Sequence, residues 1–361
     1  MIPVTKAFFP PIDNYHHQTR RIWKNQWLTN RGELVKELEK NLEQYLDLES
    51  IVLTTNGTLP IQIALKVLAQ GGEVITTPFS YVATTSAIVW ENCKPVFVDI
   101  HPKYLTIDEN RIEEAITEKT TAILATHVFG NPCNVEAIER IAQKHGLKVI
   151  YDGAHAFGVF YNGKSLLGYG DVSTCSFHAT KLFHTGEGGA IISKNKELAH
   201  KLFYSHNFGH NGPTDFYGVG INAKMSELQA AMGLCVLPFM EKILESRKKT
   251  VGVYNNNLDF NQLSKLEIRP GTKWNFSYYP IIFRNEEVLE ATLEALNLKD
   301  IFPRRYFFPS LDTLNYVESD PMSVSREIAK NVLCLPLFYN IEENKVKEIC
   351  EIINYTNLNF K

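Results

Sequence analysis

Two stretches of this sequence combine residue types that could do chemistry. Residues 171–193, DVSTCSFHATKLFHTGEGGAIIS, place a single lysine, Lys181, between two short apolar runs and among Ser, Thr and Gly. Residues 148–158, KVIYDGAHAFG, end an apolar run on Asp152, with His155 three residues later. A lysine amine can form a Schiff base with an aldehyde. A carboxylate beside a pyridine nitrogen favours the protonated ring, so the pair suits an aldehyde cofactor built on a pyridine. Most loop lysines are simply solvated. The hydroxyls and glycines around Lys181 suit close approach of a charged small molecule, and Asp152 supplies the partner such a site needs.

The elements that must position these groups follow from periodicity. Strands are expected at 51–54, 73–76, 95–99, 122–128, 148–152, 172–177 and 189–193, most of them separated by helical patterns. That alternation predicts an α/β fold with a mostly parallel seven-stranded sheet covered on both faces. Ligands of such sheets bind beyond the carboxyl ends of the strands, where Gly57, Asp152, Ser176 and Lys181 all fall. Leu34, Leu38, Leu42 and Leu46 have helical spacing and predict a helix over 33–46. Residues 225–249 read as a long helix interrupted at Pro238, leading into an α+β region with a strand at 277–283 and helices at 324–332 and 341–353. The expected division is an N-terminal arm and large domain over 1–245 and a small domain over 246–361.

Other residues admit two readings each. Gly57 and Thr58 precede a helix, where free N–H groups and the helix dipole favour a phosphate, or where they form an ordinary cap. Tyr81 could stack on a pyridine or face the core. Arg304, Arg305 and Tyr306 could hold a nucleotide diphosphate or form a surface charge cluster. Thr29 and Asn30 lie in a turn after Trp27. His206 and His210 have i, i+4 spacing, but Gly209 and Gly212 break a helix there and no acidic ligand is near, so no metal site is expected. Residues 218–223 fit G-x-G-x-x-A without a convincing strand before them.

Composition narrows the classes further. The chain has 361 residues, 44% apolar and 21% charged, with a net charge of −3. Nucleic acid is therefore not an expected partner. No stretch has the length of a membrane span or a signal peptide, and the six cysteines show no CxxC, which together predict a cytoplasmic protein with reduced thiols.

The motif S-F-H-A-T-K followed by T-G-E-G-G resembles the DegT/DnrJ/EryC1/StrS family of nucleotide-sugar aminotransferases, and the similarity runs over nearly the whole chain. The resemblance implies the fold-type I, aspartate aminotransferase architecture and pyridoxal 5'-phosphate, with Lys181 carrying the cofactor and Asp152 on its ring nitrogen. By the same resemblance Gly57, Thr58 and Ser176 hold its phosphate, and Tyr81 and His155 flank its ring. Asn222 would reach the phosphate of the neighbouring subunit, so a homodimer with shared active sites is implied; Lys224 stands where the family usually has Arg. Thr29 and Asn30 would lie near the sugar nucleotide. The R-R-Y-F-x-P stretch resembles the subgroup that aminates C4 of dTDP-4-keto-6-deoxyglucose, with L-glutamate as donor, for cell-surface polysaccharide such as O-antigen. Members with His at the lysine position dehydrate sugars instead, and Lys181 speaks against that. Left open are a 3-keto sugar, another C4 epimer, and a non-catalytic nucleotide-binding module built on residues 218–223.

Overall fold

Short runs rich in Val, Ile and Thr pair into one sheet in the computed structural model of the chain, which describes residues 1–359. The strands are β1 (Ile51–Thr54), β2 (Glu73–Thr76), β3 (Lys94–Phe97), β4 (Thr120–Thr126), β5 (Lys148–Asp152), β6 (Val172–Ser176) and β7 (Gly189–Ile192). Their spatial order is β1-β7-β6-β5-β4-β2-β3. β2 to β6 pair in parallel, while β7 runs antiparallel to both β1 and β6. The seven-stranded, mostly parallel sheet expected from the sequence is present.

Helices cover both faces: α1 (Ile12–Asn25), α2 (Glu33–Leu46), α3 (Thr58–Leu68), α4 (Val82–Trp90), α5 (Val135–His145) and α6 (Lys196–Ser205), followed by α7 (Glu227–Val236). A strand's side chains alternate between faces. Ile51, Leu53, Ile75, Ile123, Val149 and Tyr151 accordingly enter one apolar layer with α2, α5 and α7. Val52, Val74, Leu124 and Ile150 enter the other with α3, α4 and α6.

Departures from expectation have local causes. β4 stops at Thr126 because the next residues turn through a 3₁₀ segment, Val128–Gly130, with Phe129 at φ 56°. The expected arm contains α1, whose Ile12, Tyr15 and Ile22 have helical spacing although only Ile22 is buried. The helix expected over 225–249 breaks at Pro238 into α7, a 3₁₀ turn and α8 (Met240–Asn257).

α8 passes from one core to another: Met240 and Ile243 belong to the sheet layer, Val251 and Tyr254 to a second cluster. That cluster packs the antiparallel strands β8 (Leu263–Lys265), β9 (Tyr279–Phe283) and β10 (Val332–Leu335) against α9 (Glu286–Asn297) and α11 (Glu343–Asn359). The core changes along α8, the helix that contains residue 245, where the expected division falls; the last two residues of the expected small domain lie outside the described residues. Helix α10 (Ser323–Asn331) starts two residues after Pro321. The short strand Ile2–Pro3 pairs with Ile301–Phe302, tying the start of the arm to the small domain. A further cluster with Phe79, Phe129, Tyr278, Phe307 and Val332 joins the loops beyond the carboxyl ends of the sheet to the chain after α8.

Candidate active site

Asp152 ends β5, and Lys181 sits on the loop from β6 to its antiparallel neighbour β7, so both side chains arrive at the carboxyl edge of the sheet. They open onto one cleft of about 270 Å³, shared with Gly57, Thr58, Tyr81, His155 and Ser176 on the side of the seven-stranded sheet and with Tyr278, Arg304 and Tyr306 from the chain after α8. Asp152 is buried. Its Oδ1 accepts the Ala154 N–H at 3.0 Å and its Oδ2 accepts the Thr84 hydroxyl at 2.7 Å.

Lys181 is partly buried by surface area, while its amine sits among packed side chains and donates to the Tyr278 hydroxyl at 3.4 Å. Burial pushes its pKa below 10.5, and the charge of Asp152 opposes that shift. A larger fraction of neutral amine is the consequence. His155 is buried, its Nδ1 accepts the Phe129 N–H at 3.1 Å, and its ring centroid lies 4.7 Å from that of Tyr278. Burial first, and Lys181 second, hold its pKa well below 6.5, so the ring is neutral with its proton on Nε2.

The turn before α3 lies flat against Ser176. A Cβ added to Gly57 would stand 2.6 Å from the Ser176 Cβ and 2.8 Å from its Oγ, so only glycine permits this approach. Asn56 Oδ1 accepts the N–H groups of Thr58 and Leu59 at 2.9 and 3.0 Å. The cap exists, with Asn56 as its side chain, and the Gly57–Ser176 cradle beside it suits a phosphate. An amine, a buried carboxylate and this cradle on one cleft fit pyridoxal phosphate.

Several candidates lie elsewhere. Arg305 turns away from the cleft: it donates to Glu286 Oε1 at 2.5 Å and the Lys330 carbonyl at 3.0 Å, and stacks over Phe308. Arg304 stays on the cleft, its Nη1 3.4 Å from the Tyr306 hydroxyl. Thr29 and Asn30 form an exposed turn and do not line the cleft. Glu227 holds this turn's surroundings: its N–H donates to the Leu28 carbonyl, and its carboxylate accepts the Leu34 and Val35 N–H groups at the start of α2. Asn222 is also exposed and off the cleft; Lys224 Nζ donates to its Oδ1 at 2.8 Å and to Asn207 Oδ1 at 2.7 Å.

The histidines at 206 and 210 do different things. His206 is buried and bonded to the Phe203 carbonyl, with burial lowering its pKa to about 4, and His210 packs on Phe216. Residues 218–223 follow no strand; Gly220 lies against the Phe208–Gly209 backbone, which suits close packing rather than a dinucleotide turn.

Sequence reasoning missed Tyr278 and the segment that delivers it. Asn275 Nδ2 donates to the His155 and Phe157 carbonyls at 2.8 Å each, Ser277 Oγ donates to the Phe129 carbonyl, and buried Arg247 donates to the Phe276 and Ser277 carbonyls. These clamps delay the start of β9 to Tyr279, where a strand from 277 was expected. No local pattern marks Tyr278, since its role depends on contacts with residues over 90 positions away.

The sequence profile of the DegT/DnrJ/EryC1/StrS aminotransferase family matches residues 12–354. A dTDP-4-amino-4,6-dideoxy-D-glucose transaminase of Shigella dysenteriae is 43% identical over 97% of both chains, and one of Escherichia coli is 38% identical over 98% of both. Among solved structures, DesI in the presence of its TDP-sugar product superposes with a TM-score of 0.93 at 28% identity, over 99% of this chain and 93% of DesI.

Proposed function

This chain belongs to the DegT/DnrJ/EryC1/StrS aminotransferase family and uses pyridoxal phosphate, and on that footing we propose that it transfers an amino group from L-glutamate to C4 of dTDP-4-keto-6-deoxy-D-glucose. The product would be dTDP-4-amino-4,6-dideoxy-D-glucose, a precursor of cell-surface polysaccharide made in the cytoplasm. The observation that carries the reading is the amine of Lys181 opening on the same cleft as the buried carboxylate of Asp152. The similarity to two transaminases named for this sugar supports the substrate. Six buried free thiols agree with a reducing compartment, and no helix among the described residues is long and apolar enough to cross a membrane.

When bound, the cofactor supplies an electron sink that makes the amino-acid α-proton labile. Lys181 would hold its aldehyde carbon, Asp152 its ring nitrogen, and Gly57, Thr58 and Ser176 its phosphate, with Tyr81 and His155 against the ring. Lys181 Nζ, partly neutral because it is crowded away from water, takes the α-proton and returns it on the other side of the exchange. Tyr278 accepts from Nζ and keeps the amine aimed into the cleft. His155, neutral at working pH, adds no competing charge beside that amine.

Keto-sugar nucleotides with different bases and keto positions, each supplied with glutamate, test the substrate. Identification of the 4-amino product from the dTDP 4-keto sugar is expected, and a preferred 3-keto sugar would replace this substrate. In the same assay Arg304→Ala should weaken keto-sugar use about 10- to 100-fold, the scale of a lost charge-assisted hydrogen bond, with the glutamate half-reaction unchanged. Arg305→Ala should leave the kinetics alone and lower the melting temperature, because its partners are Glu286 and Lys330. Equal damage to both half-reactions by Arg304→Ala would remove it from the nucleotide subsite.

Assembly belongs to the same reading. Phe208, Phe216, Tyr217, Val219 and Ile221 are exposed on the segment that carries Asn222, which supports a subunit contact in which Asn222 meets the partner's cofactor phosphate. A carboxylate at 222 would pair with Lys224, so alanine is the cleaner probe. Asn222→Ala should lower cofactor affinity about tenfold or more. Mixed with Lys181→Met protein, it should regain tight uptake at one site per hybrid dimer. Verified hybrids without recovery would confine Asn222 to its own chain.

A further inference from the structure

Three buried hydroxyls run in a row from Asp152, and two of them, Ser80 and Thr126, border the same cleft. Thr126 ends β4 and is paired in register with Asp152 across to β5; Ser80 follows β2; Thr84 stands in the first turn of α4. Thr126 Oγ1 is 3.0 Å from Ser80 Oγ, which is 2.8 Å from Thr84 Oγ1, which is 2.7 Å from Asp152 Oδ2. All three residues are nearly inaccessible to water, at 3%, 1% and 0% exposed.

We propose that Thr84, Ser80 and Thr126 are positioning residues, a hydroxyl chain polarised in one direction that fixes Asp152 against the cofactor's ring nitrogen. The direction follows from counting protons. An ionised carboxylate only accepts, and each hydroxyl has one proton to give. Thr84 therefore spends its proton on Asp152 and must accept from Ser80. Ser80, its proton spent on Thr84, accepts from Thr126. Each donation strengthens the next, and the last one ends on a charge, the strongest type of acceptor.

The Ala154 N–H holds the other carboxylate oxygen. With one donor on each oxygen the carboxylate plane is fixed, and its remaining acceptor directions are left for the cleft that Asp152 lines. A carboxylate held by one donor could rotate about its last bond; this one is held on both sides.

The inference rests on the aminotransferase reading, and its test separates the two. Affinity of the cofactor-free protein is measured by fluorescence titration for pyridoxal phosphate and for its 1-deaza analogue, in which carbon replaces the ring nitrogen. Wild type should prefer pyridoxal phosphate, since only that ring can donate to Asp152. Thr84→Val, which keeps shape and removes the hydroxyl, should reduce the preference about tenfold, the scale of one hydrogen bond to a charged group. Thr84→Ser should restore it, and Ser80→Ala should reduce it about threefold, because it loses only the reinforcement of the final bond. Equal preference in wild type and in folded Thr84→Val overturns the proposal; should Thr84→Val not fold, an unchanged preference in Ser80→Ala overturns it. A wild type that binds both compounds equally overturns it too, because Asp152 then has no hold on the ring nitrogen. A wild type that takes up neither compound overturns the aminotransferase reading itself.

Discussion

Lys181→Met should lower turnover by about 10⁴-fold or more, because one substitution removes both the attachment point of the cofactor and the base that moves the α-proton. Wild-type protein should be yellow, and borohydride should trap a pyridoxyl group on the peptide containing Lys181. Trapping on another lysine would end this assignment. The lowered pKa of Lys181 adds a pH dependence with a definite sign. Attack on an aldehyde needs the neutral amine, so cofactor uptake by the free protein should slow as pH falls through the folded pKa, which lies below 10.5. Because the folded state binds this proton less tightly than the unfolded chain, the lysine's contribution to stability improves with rising pH and is least favourable below the folded pKa. Cofactor-free Lys181→Met should therefore melt higher than cofactor-free wild type at neutral pH, with the gap closing as pH approaches 10.5.

Asp152→Asn should keep binding the cofactor and lose turnover on the order of 10² to 10³-fold, the scale of removing one preorganised electrostatic partner. The amide can still meet Ala154 and Thr84, so the fold should survive. It offers no negative charge to hold a proton on the ring nitrogen. Stopped-flow absorbance of the glutamate half-reaction isolates the effect from nucleotide binding. Unchanged rates would make Asp152 a purely structural carboxylate.

The seven-stranded sheet was legible because its strands are buried on both faces and bounded by turns; β1, β2 and β5 have the bounds their apolar runs predict. Lys181 and Asp152 were legible for the same reason, being polar groups at the ends of such runs. What escaped notice depends on side chains meeting across long separations. Arg304 and Arg305 are adjacent in sequence, yet Glu286 takes one and the cleft keeps the other. Thr84, on α4, looks like any helical threonine until Asp152, 68 positions on, is seen beside it. Helix α1 falls in what the sequence reads as an arm, although Ile12, Tyr15 and Ile22 carry a helical period. The family resemblance supplied roles that periodicity could not, and Thr29 and Asn30 received theirs only that way.

Glu227 gives these roles a common support. It joins the Leu28 turn and the start of α2 to the chain segment that leads from Asn222 into α7. The turn next to Thr29 and the surface around Asn222 are thus two sides of one joint, although about 190 residues separate them in sequence. In the proposed dimer, a lineage that reshapes this turn also disturbs the edge on which the second subunit rests. Change in the turn and change in assembly would then be inherited together, and a new turn would need a compensating substitution at the subunit boundary before it could spread.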